Sequence, residues 1–247
     1  MSLFFLTLLG LGLIIASACV FNNYIDRFDD RKMQRTKNRP LATGALKGSY
    51  ALIFGTLLAV LGNALLFIFS NGLTVAVANA GFIIYVCLYS FLKSKTVYST
   101  LIGSLSGAVP PVVGYVAVSN QLDMGALILF LMMLFWQMPH FFAIALWHQK
   151  DYTKAGIPVL PIVKGVTRTK IHMTAYIMGL IPVLFLFTYF GYTGPAFALV
   201  SLGIGLGWLF YSLKGFEEKD TIHWGRQMFR FSLVLINAVS LMIVCNI

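Results

Sequence analysis

The stretch LFFLTLLGLGLIIASACVFNN at residues 3–23 contains no charged side chain, and it runs directly into YIDRFDD at 24–30, which holds three acids. A helix rises about 1.5 Å per residue, so roughly 20 apolar residues cross a hydrocarbon core of about 30 Å. The stretch therefore reads as a membrane-spanning helix whose last turns emerge carrying carboxylates. Runs of the same kind recur at approximately 49–69, 73–92, 98–118, 124–147, 172–190, 195–213 and 228–246, which makes eight. Such continuous apolarity excludes membrane β-strands, which alternate apolar and polar residues over about ten positions. In lipid the backbone must then be satisfied within helices. The expected fold class is all-α: a polytopic transmembrane bundle of about eight helices, with residues 1–247 forming a single domain.

Composition agrees. Of 247 residues 59% are hydrophobic and 11% charged, against about 25% charged in soluble domains, and the mean hydropathy is +0.84. Too little polar surface exists to coat a soluble globule, a disordered chain or a disulfide-stapled module. The net charge of +10 resembles a nucleic-acid signal until its positions are considered. All 18 Lys and Arg fall in residues 27–47, 93–95, 150–170 and 214–230, while the connections near 70–72, 119–123 and 191–195 carry none. Basic residues on alternate connections mark the cytoplasmic face of a membrane protein. The partner implied is membrane lipid and no nucleic acid, with both ends of the chain on the outer side. The first helix then enters with no basic residue ahead of it, an arrangement that a further helix upstream would repair. Cys19, Cys87 and Cys245 lie in apolar spans without metal spacing and read as small buried hydrophobes.

The chemistry is expected at the rim. At about 100° per residue, Asn22, Asp26 and Asp30 stack on one helical face, with Asp29 flanking them. Like charges at that spacing repel, so something must offset them. An oxygen-rich stripe of this kind suits Mg²⁺, which takes one or two carboxylates and completes its shell with water and substrate phosphate. Five cations follow at once, Arg31, Lys32, Arg35, Lys37 and Arg39. Carboxylates beside cations are what an anchored diphosphate needs, metal bridging some oxygens and Arg or Lys neutralising the rest. The plainer reading is a basic loop whose acids pair with its own bases. A second polar group lies within the fifth run, where Gln137 and His140 are three apart around Pro139. One reading is that His140 satisfies the carbonyl freed by the proline or a neighbouring helix. The other is a contact for a planar, iron-bearing substrate, since imidazole is a common haem ligand.

These residues carry a resemblance. Asn22-x-x-x-Asp26-x-x-x-Asp30 is similar to the first aspartate motif of the UbiA-type intramembrane prenyltransferases. The extension DRKMQRTKNRPL at 30–41, GSLSGAVPP at 103–111, WQMPHF at 136–141 and DYTKAGIPVLP at 151–161 resemble their protohaem IX farnesyltransferase branch, and the likeness covers nearly the whole chain. It implies transfer of a farnesyl group from farnesyl diphosphate to a vinyl group of haem B, with hydration, giving haem O for respiratory oxidases. Mg²⁺ is the implied cofactor, held by Asn22, Asp26 and Asp30. Asp26, Asp30 and His140 are the implied catalytic residues. Lys32, Arg35, Lys37 and Arg39 would take the diphosphate, and Gln137, His140 and His148 the haem.

The chain departs from the family in two respects. Many relatives carry a second acidic pair after the fifth run, whereas here Asp151 stands alone beside Lys150. Family bundles also have nine helices with the acidic motif on the second, which agrees with a helix missing upstream. The resemblance further implies a multi-pass protein of the bacterial cytoplasmic membrane, with haem A synthase or terminal-oxidase assembly as protein partners. Two rivals stay open: prenylation of an aromatic or quinone precursor by the same acidic motif, and a transporter using intramembrane acids and histidine.

Overall fold

The structure, a computed structural model, describes residues 2–245. Eight helices are long and apolar enough to cross a membrane: α1 (Ser2–Asp30), α2 (Gly48–Phe69), α3 (Gly72–Leu92), α4 (Ser99–Ser119), α5 (Met124–Trp147), α6 (Val166–Tyr189), α7 (Pro195–Lys214) and α8 (Thr221–Val244). No strand occurs among the described residues. Number and order follow the apolar runs, but α6 and α8 begin ahead of theirs because Arg168, Lys170, His223 and Arg226 extend each helix in polar first turns. Hydropathy finds the part of a helix that lipid tolerates, and the helix itself continues into water. Residue 246, the end of the last apolar run, lies outside the described residues. The cysteines also differ from expectation, since Cys19, Cys87 and Cys245 are exposed. On a membrane helix an outward position faces lipid, where a small apolar side chain is at no disadvantage.

The described residues group into two units. One comprises those up to Ala126 together with Lys150–Pro158, and the other comprises Leu127–Gln149 and those from Val159 onward. Lipid tails are as apolar as leucine, so helices associate through close backbone approach and interhelical hydrogen bonds rather than through hydrophobic burial. Both devices hold the first unit together. Helix α1 packs most extensively on α2, where Gly10 meets Gly62. A Cβ on Gly62 would lie 2.7 Å from the Gly10 carbonyl oxygen, and one on Gly10 would lie 2.9 Å from Leu66. The Ser17 hydroxyl donates to the Gly55 carbonyl at 2.6 Å, and the Asn79 amide donates to the Asn63 side-chain oxygen at 2.5 Å, joining α3 to α2. Outward positions such as Phe67 and Val118 are 72% and 79% exposed, as lipid-facing side chains should be. Between α4 and α5, Asp123 accepts from the Tyr115 hydroxyl at 2.8 Å and from the Ala126 amide at 3.2 Å. The Tyr115 hydrogen bond holds its carboxyl below the usual range.

The second unit is built on aromatic packing. Phe197 and Trp208 are fully buried, Phe187 meets Phe197 edge-on at 5.7 Å, and Gly179 leaves room for the Phe135 ring, which a Cβ would meet at 2.3 Å. Lys170 is buried at the carboxyl end of α7. It donates to the Gly215 carbonyl and, at 3.2 Å, to the Glu218 carbonyl, and its ammonium lies 5.3 Å from the Trp224 ring centroid. A cation there meets the negative end of the helix dipole.

Replacing Gly62 with leucine should push α1 from α2 at their closest approach. The expected cost is about 1–3 kcal/mol, the usual range for overpacking. Thermal or denaturant unfolding in detergent measures it, and Gly72→Leu, whose Cβ would meet nothing within 4 Å, is the control.

Candidate active site

The last turns of α1 carry the acidic stripe inward. Asn22, Asp26 and Asp30 are 7%, 4% and 2% exposed, which for ionised carboxylates demands partners, because an unpaired buried charge costs several kcal/mol. Each of the three has one. The Asn22 amide donates to the Ser90 hydroxyl at 2.9 Å, the Lys93 ammonium pairs with Asp26, and the Arg39 guanidinium pairs with Asp30 at 2.9 Å. Asp29 does not join the stripe. It is partly exposed and pairs with Lys32 at 2.8 Å on the helix surface.

Two local structures deliver these partners. Within α3, residues Ile84–Tyr89 form a π-helix. One π turn holds more residues than an α turn, so it shifts the face presented by everything after it. Ser90 and Lys93 follow immediately, and the Ser90 hydroxyl donates to the Tyr85 carbonyl at 2.9 Å while accepting from Asn22. Tyr85 and Tyr89 stack with centroids 5.3 Å apart, and the Lys93 ammonium lies 5.9 Å from the Tyr89 ring centroid. The second structure is the coiled connection after α1. Amides of Lys32, Met33, Thr36, Lys37 and Arg39 bond to carbonyls three or four residues back, buried Met33 and Thr36 anchor it, and the Thr36 hydroxyl donates to the Asp30 carbonyl at 3.0 Å. The chain thus folds back and returns Arg39 to Asp30, nine residues earlier. Pro40, with its fixed φ, then opens the short helix Pro40–Thr43.

The expected diphosphate residues separate accordingly. Arg39 touches the acid stripe, Lys32 pairs with Asp29, and Arg35 and Lys37 are exposed on the same connection. Lys93 and Ser90 were not anticipated from sequence. In the sequence Lys93 is one of two basic residues in a short connection, and nothing in its spacing singles it out. Lys150 and Asp151 lie in the first turn of the short helix Gln149–Ala155, where the acid suits the helix dipole.

The second polar group lies in the other unit. Gln137 is buried, and its amide donates to the Met133 carbonyl of its own helix at 3.1 Å. His140 is half-buried and bonds through Nδ1 to the Ser232 hydroxyl of α8 at 2.7 Å, while Trp136 Nε1 donates to the Ser232 carbonyl at 2.8 Å. The imidazole stacks on Trp136 at 4.9 Å and lies 4.9 Å from the tilted Phe229 ring. His148 stacks on Trp147 at 4.5 Å, and the Arg226 guanidinium lies 4.9 Å from that indole. His140 therefore serves an interhelical bond rather than the backbone near Pro139. Trp136 and Trp224 are both buried.

A Lys93→Met substitution leaves the buried Asp26 carboxylate without its cation. In chelator-treated protein it should lower unfolding stability by about 3–5 kcal/mol, the usual effect of breaking a buried pair. Adding Asp26→Asn to the same protein should restore much of the loss, a coupling that a double-mutant cycle reads directly.

Against known proteins, residues 1–234 match the UbiA prenyltransferase family. The chain is 54% identical over 241 residues to a protein named protoheme IX farnesyltransferase from Protochlamydia amoebophila, covering 98% of this chain and 85% of that one. It is 49% identical to a protein of the same name from Sodalis glossinidius, covering 98% and 82%. Among solved structures it is similar to a digeranylgeranylglyceryl phosphate synthase, with TM-score 0.81 at 19% identity over 98% of this chain and 84% of that one. A second is a UbiA homologue from Archaeoglobus fulgidus bound to GPP and Mg²⁺, with TM-score 0.68 at 15% identity over 99% and 88%. At these identities the structures show a shared fold, and the family rests on the sequence matches. The chain is a multi-pass integral membrane protein and belongs to the UbiA prenyltransferase family, in its protohaem IX farnesyltransferase branch.

Proposed function

We propose that the chain transfers the farnesyl group of farnesyl diphosphate to a vinyl group of haem B and, with capture of water, forms haem O. The observation that carries this reading is the 47–54% identity to proteins named protoheme IX farnesyltransferase over nearly the whole chain. The buried acid stripe supports the diphosphate half of the reaction. Asn22, Asp26 and Asp30 offer a hard, oxygen-only donor set on one face, which fits Mg²⁺ and would hold it there. When bound, Mg²⁺ supplies Lewis-acid stabilisation of phosphate oxygens.

The protein's own residues account for the rest. Arg39 and Lys93 stand beside the acids as fixed cations, able to take charge from the departing diphosphate. Arg35 and Lys37, exposed on the connection, attract and retain the anion. As the allylic C–O bond breaks, diphosphate leaves with the electron pair. The vinyl π-electrons then form the new C–C bond. Water captures the cation produced beside the macrocycle and releases one proton. Apolar surroundings must keep that water from the farnesyl cation until the C–C bond has formed. His140, held by Ser232 and flanked by Trp136, is the haem contact we assign, with Gln137 three residues before it and His148 eight residues after it. We assign the basic connections, and with them the diphosphate residues, to the cytoplasmic face of a bacterial inner membrane.

A transporter is disfavoured because the acids sit at one end of α1 beside a cationic connection, where phosphate fits better than a midplane ion path. Prenylation of an aromatic or quinone precursor is disfavoured by the WQMPHF segment and by Asp151 standing without a second acid.

Membranes containing the protein, supplied with haem B, farnesyl diphosphate and Mg²⁺, should form haem O, detected by mass and retention. Asp26→Ala and Asp30→Ala should each lower the rate by roughly 100-fold or more while the helical circular dichroism is unchanged. Wild-type turnover in either variant overturns the role of the stripe, and a quinone-type product in place of haem O overturns the substrate assignment.

A further inference from the structure

The Ser232 hydroxyl has one hydrogen and two lone pairs. Two groups reach it: the Phe229 carbonyl oxygen at 2.6 Å and His140 Nδ1 at 2.7 Å. A carbonyl oxygen can only accept, so the serine hydrogen goes to Phe229. A lone pair is then what Ser232 offers His140, and Nδ1 must be the donor. A neutral imidazole carries one N–H, so with the hydrogen on Nδ1 the other nitrogen, Nε2, keeps its lone pair.

Ser232 is well placed to enforce this. It is fully buried, and Trp136 Nε1 donates to its backbone carbonyl at 2.8 Å, so α5 holds both its main chain and its side chain. The imidazole is packed against Trp136 and Phe229, each 4.9 Å away, and meets Phe141 edge-on at 5.6 Å. Those rings oppose a flip that would exchange the two nitrogens. A histidine that binds a metal through Nε2 needs a hydrogen on Nδ1 and a partner there to keep it.

We propose that Ser232 is a positioning residue that fixes His140 as its Nδ1–H tautomer, so that the Nε2 lone pair is available to the iron of the haem substrate. This rests on the assignment of His140 as a haem contact. Without the serine acceptor the hydrogen can pass to Nε2, and the lone pair is lost where the metal would need it. A purely structural Ser232 would join α5 to α8 with either nitrogen protonated.

The experiment uses the full chain labelled with ¹⁵N-histidine. Four histidines are present, and the His140 signals are identified by their loss in His140→Ala. In the wild type Nδ1 should be the protonated nitrogen and Nε2 the unprotonated one. Ser232→Ala should move the hydrogen wholly or partly to Nε2, and Ser232→Thr, which keeps a hydroxyl, should restore the wild-type pattern. In parallel, titration with haem B followed by absorbance should show affinity about 10- to 100-fold lower in Ser232→Ala, recovered in Ser232→Thr. A wild-type ring protonated at Nε2 overturns the proposal without any variant being needed. An unchanged tautomer and unchanged haem titration in Ser232→Ala overturn the role of Ser232 alone. Unchanged haem affinity and spectrum in His140→Ala overturn the haem contact itself, and the role of Ser232 with it.

Discussion

Carboxylates buried at a lipid boundary stay ionised only where cations reach them, and Asp26 and Asp30 impose that demand on their surroundings. Each sits almost wholly out of water, where desolvation costs several kcal/mol per ion. One partner, Arg39, comes from a connection that coils back on itself, and the other, Lys93, comes from a helix that changes its winding just before the lysine. The irregular features of this unit thus have a common physical cause. A straight α3 and an extended connection would leave the acids unpaired. In the proposed function the same two cations, which pair with the acids in the protein alone, are the ones that would take charge from the diphosphate.

Holding that arrangement requires helices that cannot slide. Water would supply a hydrophobic force for this, but lipid does not, and the first unit relies on the contact between Gly10 and Gly62, the Ser17 bond to Gly55 and the paired amides of Asn63 and Asn79. Fixing α1 against α2 and α3 also fixes the approach of Lys93 to Asp26. The second unit meets the same need with bulk, filling its interior with Phe197, Trp208 and Trp224. Hydrogen bonds join its helices as well, Thr174 with Ser212 at 2.8 Å between α6 and α7 and Tyr211 with Gln227 between α7 and α8, alongside the group around His140 and Ser232.

Much of this was legible in the amino-acid sequence because lipid filters residues strongly. Eight apolar runs became eight helices, and four-residue spacing alone put Asn22, Asp26 and Asp30 on one face. What stayed hidden depended on distance along the chain or on local irregularity. Lys93 is 67 residues from Asp26 and Ser232 is 92 from His140, and no periodicity relates residues so far apart. A π-helix has no plain signature in composition, so the face on which Ser90 and Lys93 emerge could not be read. Asp29, which at about 100° per residue flanks the stripe, is instead partly exposed and pairs with Lys32 on the helix surface, a choice of partner that spacing alone does not decide. Glycines give no warning of their surroundings either: Gly103 lies under the Tyr89 ring, and Gly114 faces open space.

The separation between Asp26 and Lys93 bears on how the protein is made. Arg39 follows Asp30 so closely that their pair can form as soon as the first connection leaves the ribosome. Lys93 emerges only after all of α2 and α3 has been synthesised, and closing a loop of that length costs entropy that must be met by the intervening helix contacts. Until then an ionised Asp26 lacks the α3-borne cation that it pairs with in the folded protein. Its buried, paired state is complete only once α3 has packed and brought Lys93 to it. The order of translation thus becomes an order of assembly, with the acid site completed by the arrival of α3.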